Sequence, residues 1–187
     1  MFNFLYRLFL TLNSTSLIIV VFLVKEKINI PWPAQLSFLP YYTAYIIYFL
    51  VPVFLTLISL LLSNLLDSDS LEKEDDGKGT SKIMEVEQAN NAFLPSYLGY
   101  FFVALSVPYF ETLVFVFILL FIFTYFSQTL YFNPLFLILK YQFYYLTTTN
   151  NIKIFLITKK ELKDPKDIDL PKLKRINNFT FIDKGGR

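Results

Sequence analysis

The sequence predicts an integral membrane protein, with four transmembrane α-helices followed by a small cytosolic β-rich tail domain that contains a hairpin. The first observation is the run Phe93 to Phe126, 34 apolar and aromatic positions with one charge, Glu111. As a single helix it would be about 51 Å long at ~1.5 Å per residue, against a hydrocarbon core of ~30 Å. Within it, Pro108, Tyr109, Phe110 and Glu111 bring a helix breaker, interfacial aromatics and a charge. The run therefore divides into two short antiparallel spans. The second observation is composition: the 187 residues are 55% hydrophobic and 19% aromatic, concentrated in long runs rather than at spaced core positions. The third is a change of pattern after Asn133-Pro134, where β-prone residues begin to alternate.

A transmembrane domain is expected over residues 1–132, with spans at about 8–24, 45–66, 93–107 and 113–130. The first span lies between Arg7 and Lys25-Glu26-Lys27. No small-residue cleavage site follows it, so it reads as a retained anchor. Its Asn13-Ser14-Thr15-Ser16 lies near mid-membrane, with Asn13 and Ser16 able to share a face. Interhelical hydrogen bonding and a polar permeation path are the two readings. The lack of an accompanying ionisable residue favours the first. Between spans one and two, Pro31, Trp32, Pro33 and Pro40 with Tyr41 and Tyr42 suggest a rigid loop at the headgroup level, either an anchor or an outward sensing surface. In span two, Pro52 is a bending point, and Thr56, Ser59 and Ser63 form a small-residue stripe suited to close helix packing.

Residues 67–92 read as an acidic cytosolic loop. Eight carboxylates, Asp75 and Asp76 among them, stand against Lys73, Lys78 and Lys82, and Gly77 and Gly79 favour a mobile, solvated segment. Such a loop is free to meet a basic partner. Spans three and four are short for a bilayer. Glu111 between them is either an interfacial turn residue or a lone intramembrane acid with an ion or proton role. With four spans and both termini in the cytosol, fifteen Lys and Arg residues lie inside and two outside, which the positive-inside rule prefers over a three-span arrangement.

The tail, residues 133–187, is expected to hold a hairpin. Tyr141, Phe143 and Tyr145 alternate with Lys140, Gln142 and Tyr144; Thr149-Asn150-Asn151 supplies a turn, and Ile152, Ile154 and Leu156 alternate with Lys153 and Phe155 on the return. Breaks at Asp164-Pro165 and Leu170-Pro171 precede a third strand at Arg175 to Asp183. Three short strands make a marginal core, so the tail is expected to pack against a neighbouring copy, the membrane surface or a partner. Its eleven cations are interleaved with five acids, which fits a solvated surface or attraction to anionic headgroups better than direct nucleic-acid contact.

The chain has no Cys and no His. That excludes disulfides, thiolate chemistry and the commonest general base and metal ligand. Phosphate loops, dinucleotide fingerprints and metalloprotease motifs are absent as well. The expectation is a protein without catalytic, cofactor or metal-binding residues.

Asn133-Pro134-Leu135-Phe136-Leu137-Ile138-Leu139-Lys140-Tyr141-Gln142-Phe143-Tyr144, the following hairpin, Ile157-Thr158-Lys159 and Lys174-Arg175-Ile176-Asn177-Asn178-Phe179 resemble the KwaA family, the membrane subunits of the Kiwa anti-phage system. The resemblance implies a bacterial inner-membrane protein that oligomerises, senses infection at the envelope and signals to a cytosolic, DNA-binding effector subunit of the same operon (KwaB-like). Its partners would be the lipid bilayer, copies of itself and that effector. Candidate partner contacts are Lys140, Tyr141, Phe143, Tyr145, Lys153 and Phe155 on the tail, with Asp75 and Asp76 in the loop. Candidate membrane-sensing residues are Trp32, Tyr41, Pro108 and Glu111. From the residues alone, a small channel or transporter and a membrane immunity protein against a toxin are the alternatives.

Overall fold

Why the helices stop where they do is visible in their caps. The computed structural model describes residues 2–31, 38, 40–72, 81–92, 94–127 and 133–184. Helix α1, Phe2–Lys25, ends in a Schellman motif: Ile28 N–H donates to Leu23 O (3.1 Å), Lys27 N–H donates to Val24 O (3.1 Å), and Lys27 takes φ 52°. Helix α2, Thr43–Leu62, runs into a 3₁₀ turn at Ser63–Leu65. Helices α3, Leu94–Ser106, and α4, Phe110–Ser127, flank Val107-Pro108-Tyr109, where proline ends one helix before the next begins. Glu111 stands in the first turn of α4, where the helix dipole favours an acid.

Among the described residues, three segments are long and apolar enough to cross a membrane: Phe2–Lys25, Thr43–Leu65 and Phe110–Ser127. The expected third span, α3, has 13 residues, about 20 Å of helix and short of a ~30 Å hydrocarbon core. Among the described residues, three helices of spanning length and one short apolar helix thus stand where four spans were expected. The reason is that Pro108 divides the 34-residue run unevenly.

The chain forms two compact units, one of Leu8–Ser59 with Phe93–Asn133, the other of Met1–Arg7, Leu60–Ala92 and Pro134–Arg187. In the first, α1 packs on α3 and α4 through Ile18, Phe22, Ala104, Val107 and Leu113. Tyr97 Oη donates to Ser14 O (2.7 Å), and Lys25 Nζ donates to Val107 O (2.5 Å), so the end of α1 meets the α3–α4 turn. Helix α4 exposes Phe115, Ile118, Phe123 and Phe126. It is apolar on every side, as a helix facing lipid or another apolar helix is.

The second unit is a six-stranded sheet of order β1-β5-β6-β4-β3-β2, with β1 Ser68–Leu71, β2 Ile83–Gln88, β3 Gln142–Thr148, β4 Lys153–Thr158, β5 Leu170–Asn177 and β6 Thr180–Asp183. Every pairing is antiparallel except β4 with β6. The expected hairpin is β3–β4, with Asn151 at φ 59° in its turn.

Two expectations are corrected here. The stretch 67–92, read as a solvated loop, supplies both edge strands, one at each side of the sheet. The Leu170-Pro171 break is the start of β5, and the single strand at Arg175 to Asp183 is two, joined by a turn in which Phe179 N–H donates to Asn177 Oδ1 (2.8 Å). The acids within these strands, Asp69, Glu85 and Glu87, did not prevent strand formation because they lie on the edge strands, where solvent or a cation reaches them. There Asp69 Oδ2 accepts from Arg175 Nε (3.0 Å) and Nη2 (2.6 Å), and Glu87 pairs with Lys153 (2.8 Å).

Both sheet faces are covered. One face carries Tyr144, Leu146, Ile154, Leu156, Leu173 and Phe181, capped by Ile168 and Leu162 from the segment that follows β4. The other carries Phe143, Phe155, Ile157 and Ile182 with Phe136 from the short helix α5, Leu135–Ile138. Helix α5 also closes in a Schellman motif. Tyr141 N–H donates to Phe136 O (2.9 Å), Lys140 N–H donates to Leu137 O (2.9 Å), and Lys140 takes φ 63°. The rings of Phe136 and Tyr141, 5.9 Å apart, supply the hydrophobic contact that accompanies the motif.

Leu156 is fully buried in an interior strand. Leu156→Ala is expected to destabilise the sheet by about 2–5 kcal/mol, measured as faster hydrogen exchange of the strand amides. Lys140→Gly relieves a left-handed backbone position and is expected to stabilise by about 0.5–1 kcal/mol, read as a higher denaturation midpoint of the purified protein.

Candidate functional site

Two clusters of polar or aromatic side chains have the placement expected of functional positions. The first lies among the helices. Thr11, Asn13, Ser14, Thr15, Thr56, Ser59 and Asn133 are all buried. The Asn13 amide satisfies every neighbour when its nitrogen donates to Pro52 O (3.2 Å) and its oxygen accepts from Asn133 Nδ2 (3.0 Å) and Thr56 Oγ1 (2.9 Å). Asn133 Nδ2 also lies 3.0 Å from Thr56 Oγ1. Ser14, Thr15 and Ser16 bond back to carbonyls of their own helix, as do Ser59 and Ser63. No buried side-chain polar atom lacks a partner among the described residues. Asn13 is thus an interhelical hydrogen-bonding residue. Ser16, its expected face-mate, donates to Asn13 O (2.6 Å) instead of crossing to another helix.

The second cluster is on the sheet. The pairings Phe143↔Ile157, Tyr145↔Phe155 and Thr147↔Lys153 put Tyr141, Phe143, Tyr145, Lys153 and Phe155 on one face. Ring centroids step from Phe143 to Phe155 (5.7 Å) and from Phe155 to Tyr145 (5.5 Å). Phe143, Phe155 and Tyr141 are 0%, 5% and 8% exposed, so they form the covered core of this face. Lys140 and Lys153 are exposed and Tyr145 is half-buried. Lys153 Nζ lies 4.5 Å from the centre of the Tyr145 ring while pairing with Glu87.

The charges of this surface shape its titration. The hydrogen bond that Lys153 donates to Glu87 holds its ammonium above its ordinary value against an opposing effect of burial, and the Glu87 charge adds to it. This pairing persists below the ordinary lysine value and fades only as pH rises through the raised one. Burial pushes the Tyr141 phenol up, with the Asp183 charge adding to it. Burial also raises Tyr145, Lys153 opposing and Glu87 assisting. Both phenols are neutral donors at neutral pH.

Of the remaining expected residues, Tyr41, Pro108 and Glu111 are exposed. Tyr41 stacks edge-on with Tyr42 and Tyr45. Trp32, Asp75 and Asp76 lie outside the described residues. Sequence reasoning did not pick out Asn133, Thr56 and Glu87 as partners of Asn13 and Lys153. A lone amide closing an apolar run was the available sign for Asn133, but its partners are 77 and 120 positions away. Thr56→Val removes the hydroxyl shared by two buried amides. It is expected to cost about 1–2 kcal/mol, with Thr56→Ser recovering most of it, measured by reversible unfolding in detergent.

A family model, that of the anti-phage protein KwaA, matches residues 6–182. No curated protein and no solved structure matches the chain. The matched span runs from within α1 to within β6 and so takes in the apolar helices, both edge strands from 67–92 and the tail hairpin. By that match over nearly the whole chain, the protein belongs to the KwaA family of anti-phage proteins.

Proposed function

We propose that this chain is a non-enzymatic sensor and scaffold subunit of an anti-phage defence system, in the bacterial inner membrane with both termini in the cytosol. In this reading α3 joins the three long segments as a fourth, short crossing, accommodated by tilt or local thinning of the bilayer. The protein oligomerises through the apolar surface of helices such as α4 and recruits a soluble, DNA-binding effector through its sheet unit. The observation that carries the reading is the pairing of apolar helices with a separately cored sheet inside one anti-phage family match. The absence of His and Cys from the sequence supports a role without catalysis. The closed hydrogen bonding around Asn13 and Thr56 supports packing over permeation.

Because residues 67–92 provide two of the sheet's strands, cutting away the tail would strip their partners, so surface substitutions make the cleaner test. The full chain is coexpressed with the product of its neighbouring gene and purified in detergent. Recovery of a soluble partner is expected to fall about tenfold, the effect of ~1.4 kcal/mol, in Lys140→Glu/Lys153→Glu, with loss of phage resistance. Lys163→Glu, in the segment capping the opposite face, is expected to leave both unchanged. If the unaltered chain brings down no partner and its deletion leaves resistance intact, the scaffold reading fails.

A further inference from the structure

The face of the sheet that carries the aromatic chain ends in lysines. Ile157 of β4 and Ile182 of β6 are register partners, and Lys174 of β5 pairs with Ile182. Two residues beyond those isoleucines, and so on the same side, come Lys159 and Lys184. Lys184 N–H donates to Lys172 O (2.9 Å), which brings a fourth lysine alongside. Tyr141 closes the row at the β3 end, with Lys159 Nζ 4.9 Å from its ring centre.

The acids nearest this row are committed elsewhere. Asp183 is buried, accepts from Thr158 Oγ1 (2.9 Å) and faces Lys160 (3.7 Å). Asp69 is held by Arg175, and Asp67 accepts from Asn3 Nδ2 (2.9 Å). Among the described residues, no carboxylate lies within ion-pair distance of Lys159, Lys172, Lys174 or Lys184.

Two of these ammonium groups, those of Lys174 and Lys184, touch the end of a membrane-length helix. Lys184 Nζ donates to Leu60 O (2.6 Å); Lys174 Nζ donates to Leu66 O and to Ser68 Oγ, both at 2.9 Å. Leu60 lies near the C-terminal end of the apolar segment Thr43–Leu65, and Leu66 is the residue that follows it. Carbonyls at a helix C-terminus offer about half a negative charge, far less than four cations require. Each ammonium has three donors, so Lys174 keeps one and Lys184 two beyond the bonds just named. Burial, followed by the charges of Lys159 and Lys174, pushes the Lys184 ammonium below its ordinary value. An anion placed among these groups would reverse the last two effects.

We propose that Lys159, Lys172, Lys174 and Lys184 form a binding site for the phosphate headgroup of an anionic membrane lipid. The position of the site at the end of an apolar segment puts the phosphate at headgroup depth. The exposed flanks of Lys159 and Lys172 leave it open to a lipid in the adjacent leaflet. This rests on the reading of α2 as a membrane span.

The test uses the full chain in dodecylmaltoside micelles, titrated with phosphatidylglycerol or with phosphatidylcholine, following the thermal midpoint and the lipid retained in native mass spectrometry. Phosphatidylglycerol is expected to raise the midpoint and phosphatidylcholine to leave it unchanged. Lys159→Gln/Lys172→Gln, which removes no side-chain hydrogen bond described above, is expected to weaken the apparent affinity about fivefold per lysine. Lys163→Gln/Lys166→Gln should retain it. An equal response to phosphatidylcholine, or full affinity in the Lys159→Gln/Lys172→Gln protein, would overturn the proposal. Inorganic phosphate matching the lipid at equal concentration would overturn it too, by making free phosphate the ligand. Carbonate extraction of membranes carrying the unaltered chain is read separately: release into the soluble fraction would defeat the membrane reading itself.

Discussion

The pairing of β1 on β5 and of β2 on β3 is the constraint on which the sheet unit depends. Without it, the tail would be a four-stranded sheet with two open edges, and the apolar face holding Leu146, Leu156 and Leu173 would lose the cover of Ile83, Leu71 and Val86. A sheet of few short strands buries too little apolar surface to offset the entropy of ordering them. The strands that complete it come from between the second and third apolar helices. A single backbone ladder therefore ties residues 68–88 to residues 142–183, and the sheet cannot be treated as an appendage added after the helices.

The helical unit meets a different requirement. In a bilayer, a polar side chain must find its partner inside the protein. Asn13, Thr56 and Asn133 do so by converging, while the serines around them bond to their own helices. The result is a closed polar knot in an otherwise apolar interior. Such a knot specifies which helices are neighbours more than it adds stability, since polar contacts in membranes are individually modest. Helix α4, apolar on nearly every face, makes one such contact, between Thr124 Oγ1 and Tyr100 Oη of α3 (3.3 Å), and leaves most of its apolar surface exposed.

Charge is sorted in the sheet unit by position. Acids and cations on its edges pair with each other, as Glu87 does with Lys153 and Asp69 with Arg175. The lysines near the end of α2 do not. The edge cations are thus neutralised by acids, whereas the lysines beside Leu60 and Leu66 have no acidic partner among the described residues. The family match supports the defence role.

Local patterns in the sequence were sufficient for the apolar helices, the break at Pro108, the β3–β4 hairpin and the turn at Asn150-Asn151. Each depends on residues within a turn or two of one another: hydropathy over a helix length, alternation along a strand, a residue tolerant of positive φ. The resemblance carried by residues 133–183 was also legible, because it is written in contiguous residues. Only the tertiary structure decided the rest. Strands β1 and β2 are short, acidic and separated from their partners by up to 106 positions, so no periodicity marks them; their stability comes from the ladder they join. That Phe143 and Phe155 are core while Lys153 and Lys140 remain accessible depends on what covers the face, which alternation alone does not reveal. The convergence of Lys159, Lys172, Lys174 and Lys184 follows from strand register across β4, β6 and β5, a relation that exists only once the chain is folded.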